Sequence, residues 1–338
     1  MIKVAINGFG RIGRMFFRVA FERPEIDIVA INDLGELENL AYLLKYDSVY
    51  RKWGKDVRSE SGGLRVEGKH IKFMQEKDPT KLPWGALGVD VVVESTGAFE
   101  TFEKAAVHMQ AGAKRVVISA PAKDEDREGV GATVLLGVNE EALKTSKISS
   151  NGSCTTNSAH PVMQILNEAI GIKKAMLTTV HSYTATQKLV DGPDKGDWRR
   201  GRAAASNIVP STTGAAVSVT RAVKELKGLF DGIAVRVPTI AGSLSDITFV
   251  TKRPTTVEEV NGALKSAERD PRWSKIFRTS TDELVSSDII GEPHASIADL
   301  KFTKVVDGDL VKVLAWYDNE MGYTHALVEH VIKAGQYL

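Results

Sequence analysis

One cysteine, Cys154, stands in a chain of 338 residues. A lone thiol forms no internal disulfide, and that composition suits a reducing, cytoplasmic setting. No apolar run approaches the roughly 20 residues that span a bilayer, so no membrane partner is expected. Charge of one sign is also missing: 44 Lys and Arg against 43 Asp and Glu leave a net +1. That balance gives no electrostatic basis for binding nucleic acid or an anionic surface. The opening Met1-Ile2-Lys3-Val4 lacks the charged-then-apolar order of a secretory leader, so no signal peptide is expected. Without a secretory route, the acceptor pattern Asn151-Gly152-Ser153 reads as a chance match. Internal repeats and low-complexity segments are absent. His70, His108, His294, His325 and His330 show no metal-ligand spacing, so no metal is expected. The length predicts two domains, enough to bury roughly three quarters of the unfolded surface.

What is present centres on Ser149-Ser150-Asn151-Gly152-Ser153-Cys154-Thr155-Thr156-Asn157. Downstream, Val162, Ile165, Leu166, Ala169 and Ile170 recur at helical spacing. Ser, Thr and Asn ahead of such a run are helix-start chemistry, since their oxygens accept from unpaired backbone N–H groups. A thiol there lies in the positive field of the helix dipole, which favours thiolate, the nucleophilic form. Pro161 leaves two possibilities: the regular helix begins near it, or the first turns bend there. A core cysteine would have Val, Leu or Ala beside it; the polar flanks of Cys154 point to a nucleophile.

The first half alternates strands and helices. Val4-Ala5-Ile6 is a strand, and Gly8, Gly10 and Gly13 after it fit G-x-G-x-x-G, opening the helical run Met15 to Phe21. Ile28 to Asp33 is a second strand, with its acidic end 20 positions after Gly13. The glycines permit close backbone approach to a pyrophosphate, and the Asp33 carboxylate would accept from the adenosine ribose hydroxyls. Leu37 to Tyr46 and Lys104 to Ala111 read as helices, and Leu64 to Met74 as short strands. Val89 to Glu94, Arg115 to Pro121, Thr133 to Val138 and Ile148-Ser149 complete a doubly wound, Rossmann-like parallel sheet. Lys123 to Glu128 is a solvated charged loop.

After the Cys154 helix the pattern changes. Met176 to Ser182, Ile233 to Thr239, Ser243 to Thr251, Ile297 to Thr303 and Val311 to Tyr317 are strands with few helices between them. They predict a separate α+β domain with a largely antiparallel sheet. His181, 27 residues beyond Cys154, is placed to fold back beside the thiol. His160 is nearer in sequence but precedes Pro161, and stays a weaker rival.

Asn7 to Arg14, Ser153 to Asn157, His181-Ser182-Tyr183-Thr184, Ser211 to Ala216, Arg236-Val237-Pro238-Thr239 and Trp316 to Glu320 together resemble glyceraldehyde-3-phosphate dehydrogenase, in the right order over essentially the whole chain. The resemblance implies an NAD-dependent, phosphorylating oxidation of glyceraldehyde 3-phosphate to 1,3-bisphosphoglycerate. Cys154 would form a thiohemiacetal and then a thioester, with His181 favouring the thiolate and taking the hydroxyl proton. It assigns Thr184, Thr186 and Arg236 to the substrate phosphate, and Ser153, Thr155, Thr213 and Gly214 to inorganic phosphate. For NAD it assigns Arg11 and Ile12 to the pyrophosphate turn, Lys77 to the adenine side, Ser119 to the nicotinamide side, and Asn319 with Tyr323 to the carboxamide. It also implies a homotetramer. Residues 188–207 would form a loop at a subunit interface, where Arg199, Arg200 and Arg202 fit a structural role as well as a catalytic one. The NAD-binding domain would span 1–152, completed by a C-terminal helix in 319–338, and the catalytic domain 153–318.

Departures from the family pattern are local. Ser158 replaces a frequent second cysteine, Lys77 an arginine, and Met321 an aromatic residue or threonine. Ile240-Ala241-Gly242-Ser243-Leu244-Ser245 replaces a usual Pro-Asn-Val-Ser-Val-Val, which leaves subunit packing and pocket shape open. Two rival readings are an erythrose-4-phosphate dehydrogenase and a non-catalytic binding protein that kept the fold. Thr184 with the Thr213-Gly214 pair favours the triose enzyme over the first; the intact Cys154 and His181 argue against the second.

Overall fold

A computed structural model describes all residues, Met1 to Leu338. The chain divides into two compact units. The first comprises Met1–Val134, Asn139–Gly152 and Leu327–Leu338. Its nine strands are β1 (Ile2–Asn7), β2 (Ile26–Asn32), β3 (Val57–Glu60), β4 (Gly63–Val66), β5 (Lys69–Met74), β6 (Val91–Glu94), β7 (Arg115–Ile118), β8 (Ala132–Thr133) and β9 (Ile148–Ser150). They lie in the order β3-β4-β5-β2-β1-β6-β7-β9-β8. All neighbours are parallel except the β3-β4-β5 meander at one edge. The Val91-Val92-Val93 run is fully buried, as a parallel strand covered on both faces requires. Helix α1 (Arg11–Phe21) buries Met15, Phe16, Phe17 and Ala20, and α2 (Leu37–Lys45) buries Leu40, Ala41 and Leu44. The helix expected over Lys104 to Ala111 is two short pieces, α3 (Phe102–Ala105) and α4 (Val107–Gln110). The strand expected over Thr133 to Val138 stops at Thr133. Leu135–Val138 instead belongs to the second unit, where Leu136 joins the main apolar cluster.

The second unit comprises Leu135–Val138 and Ser153–Ala326. Its seven strands are β10 (Ile172–Ser182), β11 (Val209–Thr212), β12 (Phe230–Val237), β13 (Ser243–Thr251), β14 (Phe277–Ser280), β15 (Ser296–Val306) and β16 (Leu310–Tyr317). Their order is β11-β12-β10-β13-β16-β15-β14. Four of the pairings are antiparallel. β10 with β12 and β14 with β15 are parallel. The β10-to-β12 crossover is long enough for parallel pairing and includes a helix, α6 (Ala215–Ala222). The core forms between this sheet and three helices, α5 (Cys154–Ala169), α6 and α7 (Val257–Glu268), through Val162, Leu166, Leu177, Val219, Phe249 and Leu264. The last helix, α8 (Met321–Gly335), counts with the second unit up to Ala326 and with the first from Leu327 on.

Candidate active site

In the first unit a cavity of about 530 Å³ opens at the C-terminal ends of β1, β2 and β6, lined by Gly8, Gly10, Asp33, Lys77, Thr96 and Phe99 among others. The glycines are there for steric reasons. Gly8 has φ +95°, and a Cβ on it would sit 2.7 Å from the Ser95 carbonyl carbon; a Cβ on Gly13 would sit 2.1 Å from the Gly8 oxygen. Helix α1 therefore starts tight against the strand ends. Its N-cap, Gly10, offers no side-chain oxygen, and its first turn carries no carboxylate. Those N–H groups and the positive end of the dipole remain for an anion, which is what a dinucleotide pyrophosphate demands. The Asp33 carboxylate accepts from the N–H groups of Phe9 at 2.6 Å and Gly35 at 2.8 Å.

Beneath the cavity lies a buried polar network. Asn7 donates to Glu94 Oε2 at 2.6 Å, the Thr96 N–H to Glu94 Oε1 at 2.8 Å, and Asn32 to Asn7 Oδ1 at 2.8 Å. Trp84 Nε1 lies 3.2 Å from His108 Nδ1. An indole N–H can only donate, so Nδ1 is the acceptor and Nε2–H donates to Glu94 at 2.9 Å. Every member has its partners, so the network fixes the backbone around Asn7, Asn32 and Thr96.

In the second unit, Cys154 is the first residue of α5. Ser153 caps the helix: its Oγ accepts the Thr156 N–H at 3.0 Å, while Thr156 Oγ1 accepts the Ser153 N–H at 3.1 Å. This reciprocal cap, worth ~1 kcal/mol, explains why the helix begins before Pro161, which the chain carries inside it. Cys154 is half-buried as a residue, and its sulfur lies 3.3 Å from His181 Nε2. His160, the rival, turns its two ring nitrogens to the carbonyls of Thr156 and Leu136, at 3.1 and 3.0 Å.

Parallel pairing of β10 with β12 sets His181 directly beside Arg236. One guanidinium nitrogen is 2.7 Å from His181 Nδ1 and donates to the Ser182 carbonyl at 3.0 Å. Burial first, and Arg236 second, push His181 down to about 3, so its imidazole is neutral at pH 7. Burial pushes the Cys154 thiol up, opposed by Arg236 and by donors of Thr155 and of Cys154 itself. Of the groups around the sulfur, the helix start and Arg236 act in favour of the thiolate against that burial.

Further side chains complete the surroundings of this site. Tyr317 places its hydroxyl 2.8 Å from Thr155 Oγ1 and 2.7 Å from Thr179 Oγ1, with its ring edge-on to His181. Ser243 accepts the Ser182 N–H at 3.1 Å and donates to Asn319 Oδ1 at 3.0 Å. Arg200 donates to Ser211 Oγ at 2.7 Å, and its charge is felt at Arg236. The departures at 158 and 245 meet, with Ser158 Oγ 3.0 Å from Ser245 Oγ, both fully buried. Each hydroxyl supplies the partner that the other needs in the core.

Two matches decide the family. Residues 2–102 match the model for the glyceraldehyde 3-phosphate dehydrogenase NAD binding domain, and 153–319 the model for its C-terminal domain. The chain belongs to the glyceraldehyde-3-phosphate dehydrogenase family. It is 52% identical over 332 residues to the glyceraldehyde-3-phosphate dehydrogenase of Thermotoga maritima, covering 97% of this chain and 98% of the relative. The Geobacillus stearothermophilus protein of that name is 48% identical over 330 residues, at 97% and 96% coverage. Glyceraldehyde-3-phosphate dehydrogenase 1 of Bacillus subtilis is 48% identical over 340 residues, 99% of each chain. The family makes the chain an oxidoreductase with NAD as cofactor.

The residues named from sequence fall into groups. Gly8, Gly10, Asp33 and Lys77 line the first unit's cavity; Arg11, Ile12, Gly13 and Ser119 do not. The Arg11 side chain pairs with Asp47, so what Arg11 and Ile12 offer a ligand is backbone at the start of α1. Ser119 follows the end of β7. Asn319 and Tyr323 fall in the second unit, both buried. Ser153 and Thr155 sit at the start of α5; Thr213 and Gly214 at the start of α6, where Thr213 Oγ1 accepts the Ala215 N–H at 3.2 Å. Thr184 and Thr186 join their hydroxyls at 3.0 Å, while Arg236 engages His181 and Ser182. No helix is long and apolar enough to cross a membrane.

Proposed function

We propose that the chain converts glyceraldehyde 3-phosphate, NAD and inorganic phosphate to 1,3-bisphosphoglycerate and NADH through a thioester on Cys154. The observation that carries this reading is the Cys154 sulfur at a helix N-terminus, 3.3 Å from a neutral His181 and close to Arg236. Sγ adds to the aldehyde carbon, and the Cys154 N–H holds the developing oxyanion. His181 Nε2 takes the hydroxyl proton as the carbon gives up its hydride and the thioester forms. Bound NAD supplies the hydride acceptor. Inorganic phosphate then attacks the thioester carbon, the C–S bond breaks, and the acyl phosphate leaves.

Thr184, Thr186 and Arg236 hold the substrate phosphate, and Ser153, Thr155, Thr213 and Gly214 the attacking phosphate; hydroxyls, helix-start N–H groups and a guanidinium suit such oxyanions. Asp33 and the glycine turn hold the dinucleotide, with NAD preferred over NADP, since the carboxylate opposes a 2′-phosphate. Met176 and Val180 on β10 and Ile233 on β12 leave exposed apolar side chains on one face of the sheet. They support self-association, read here as a homotetramer, which light scattering would test; the single cysteine, Cys154, suits a cytoplasmic setting.

The deciding assay follows NADH from glyceraldehyde 3-phosphate with and without inorganic phosphate, and from erythrose 4-phosphate. Phosphate-dependent turnover of the triose is expected. A phosphate-independent rate would overturn the phosphorylating step, and faster use of the tetrose would transfer the chain to that rival activity.

A further inference from the structure

Ser243 opens β13, which lies between β10 and β16, and its hydroxyl meets a group from each side. It accepts the Ser182 N–H at 3.1 Å and reaches Asn319 Oδ1 at 3.0 Å. Ser182, Ser243 and Asn319 are all buried. A backbone N–H can only donate, so the serine oxygen serves Ser182 as an acceptor. Its own proton then needs an acceptor, and the one the structure gives it is Asn319 Oδ1. With the Asn319 amide turned over, two N–H donors would converge on one oxygen, and the hydroxyl proton would be left unpaired in the interior. That loss biases the amide by roughly tenfold or more toward Oδ1 facing the serine.

Both flanks of this chain are held. The Ser182 hydroxyl donates to the Gly242 carbonyl at 3.1 Å, and the Ser182 carbonyl accepts from His181 Nδ1 at 2.6 Å. Asp318 Oδ1 accepts the N–H groups of Glu320 and Met321, each at 2.9 Å, which fixes the backbone on either side of Asn319. One serine oxygen therefore links the residue that orients His181 to the Asn319 amide.

We propose that Ser243 sets the polarity of the Asn319 amide. With Oδ1 committed to the serine, Nδ2 is the end left to meet a ligand. A nicotinamide is then recognised through its carboxamide oxygen and not through its amino group. The proposal rests on the reading of Asn319 as the residue that meets the carboxamide. Ser243 acts here as a positioning residue, through Asn319.

The test is calorimetric binding to the full chain without substrate, using NAD and two analogues that each remove one end of the carboxamide. The acetylpyridine analogue keeps the carbonyl oxygen and carries a methyl in place of the amino group. The thionicotinamide analogue keeps the amino group and carries sulfur, a weak acceptor, in place of the oxygen. Wild type is expected to bind the acetyl analogue within about twofold of NAD, and the thio analogue about tenfold more weakly. Ser243→Ala lets the amide turn and present Oδ1 to the thioamide amino group. The thio analogue is then expected to recover to within about threefold of NAD, whereas general damage to the fold weakens all three ligands alike. Asn319→Ala is expected to abolish the discrimination between the analogues. A wild type that favours the thio analogue, or binds the two alike, overturns the assigned polarity without any variant. Unchanged discrimination in Ser243→Ala overturns the role of the serine and leaves Asn319 standing. Unchanged discrimination in Asn319→Ala overturns the reading of Asn319, and the proposal with it.

Discussion

The two units prepare for a ligand with different materials. In the first, the groups facing the cavity are largely backbone, and side chains such as Asn7, Asn32, Glu94 and His108 work from below to hold that backbone still. In the second, the reactive groups are themselves side chains: a helix cap and a strand register set Cys154 3.3 Å from His181, and His181 2.7 Å from Arg236. A backbone site tolerates exchange of side chains that keep the chain path; a side-chain site fails with the loss of one atom.

That contrast can be broken in four ways. The largest effect should come from Cys154→Ser. A hydroxyl at this position stays un-ionised at neutral pH, so turnover should fall by about 10⁴-fold or more while NAD affinity holds. NADH formation and NAD titration measure the two sides, and a variant retaining a tenth of the activity would remove Cys154 as nucleophile.

Acidity comes second. Burial drives His160 and His330 to about 4 and, with Arg236, His181 to about 3. Unfolded, each binds a proton near pH 6.5, so unfolding takes up protons between that pH and the folded values. The native state is favoured above roughly pH 6.5 and loses about 1.4 kcal/mol per histidine for each pH unit below it. His160 and His181 lie in the second unit and His330 in the first, so the second should lose more if the units melt separately. Urea midpoints at pH 7 and pH 5 measure this; equal midpoints would contradict the buried, neutral state of the three.

Third, Glu94→Gln presents an amide to donors that now meet a carboxylate. It should cost about 1–3 kcal/mol of stability and weaken NAD binding. Alkylation of Cys154 by iodoacetamide should keep its rate, and a changed rate would mean that the network serves the thiol as well. The smallest effect belongs to Asp33→Gly. Removing a carboxylate that faces a 2′-phosphate should shift the NAD to NADP preference by roughly tenfold. An unmoved kcat/KM ratio would deny Asp33 its part in cofactor choice.

Legibility in the sequence followed the range of the interaction. Alternation of strands and helices, Gly8, Gly10 and Gly13, and the polar start of α5 are local patterns, and the Rossmann-type sheet with its mainly antiparallel neighbour was readable from them. Pro161 was ambiguous because its cost is set against the Ser153–Thr156 cap and the burial of residues 155–163, and only the latter is tertiary. β14 escaped because four residues, Phe277–Ser280, hold too little pattern without the parallel partner β15. The strand expected to Val138 failed because Leu136 is claimed by a core made of residues beyond 150. Arg236 beside His181 depends on a parallel register across 55 residues, which no spacing rule supplies. Tyr317 and the Glu94–His108 pair escaped for the same reason.

One feature of the chain path bears on how the molecule is made. The first unit is completed by Leu327–Leu338. There Glu329 pairs with Arg23, His330 meets Ser149 at 2.8 Å, and the Tyr337 carbonyl accepts from Arg115 at 3.0 Å. On a ribosome these residues emerge after the whole of the second unit. The dinucleotide-binding half, begun first, is thus finished last, and until then its sheet waits with Arg23, Arg115 and Ser149 uncovered. A nascent chain stalled before Leu327 should be able to close its catalytic core while its cofactor half stays open to chaperones and proteases.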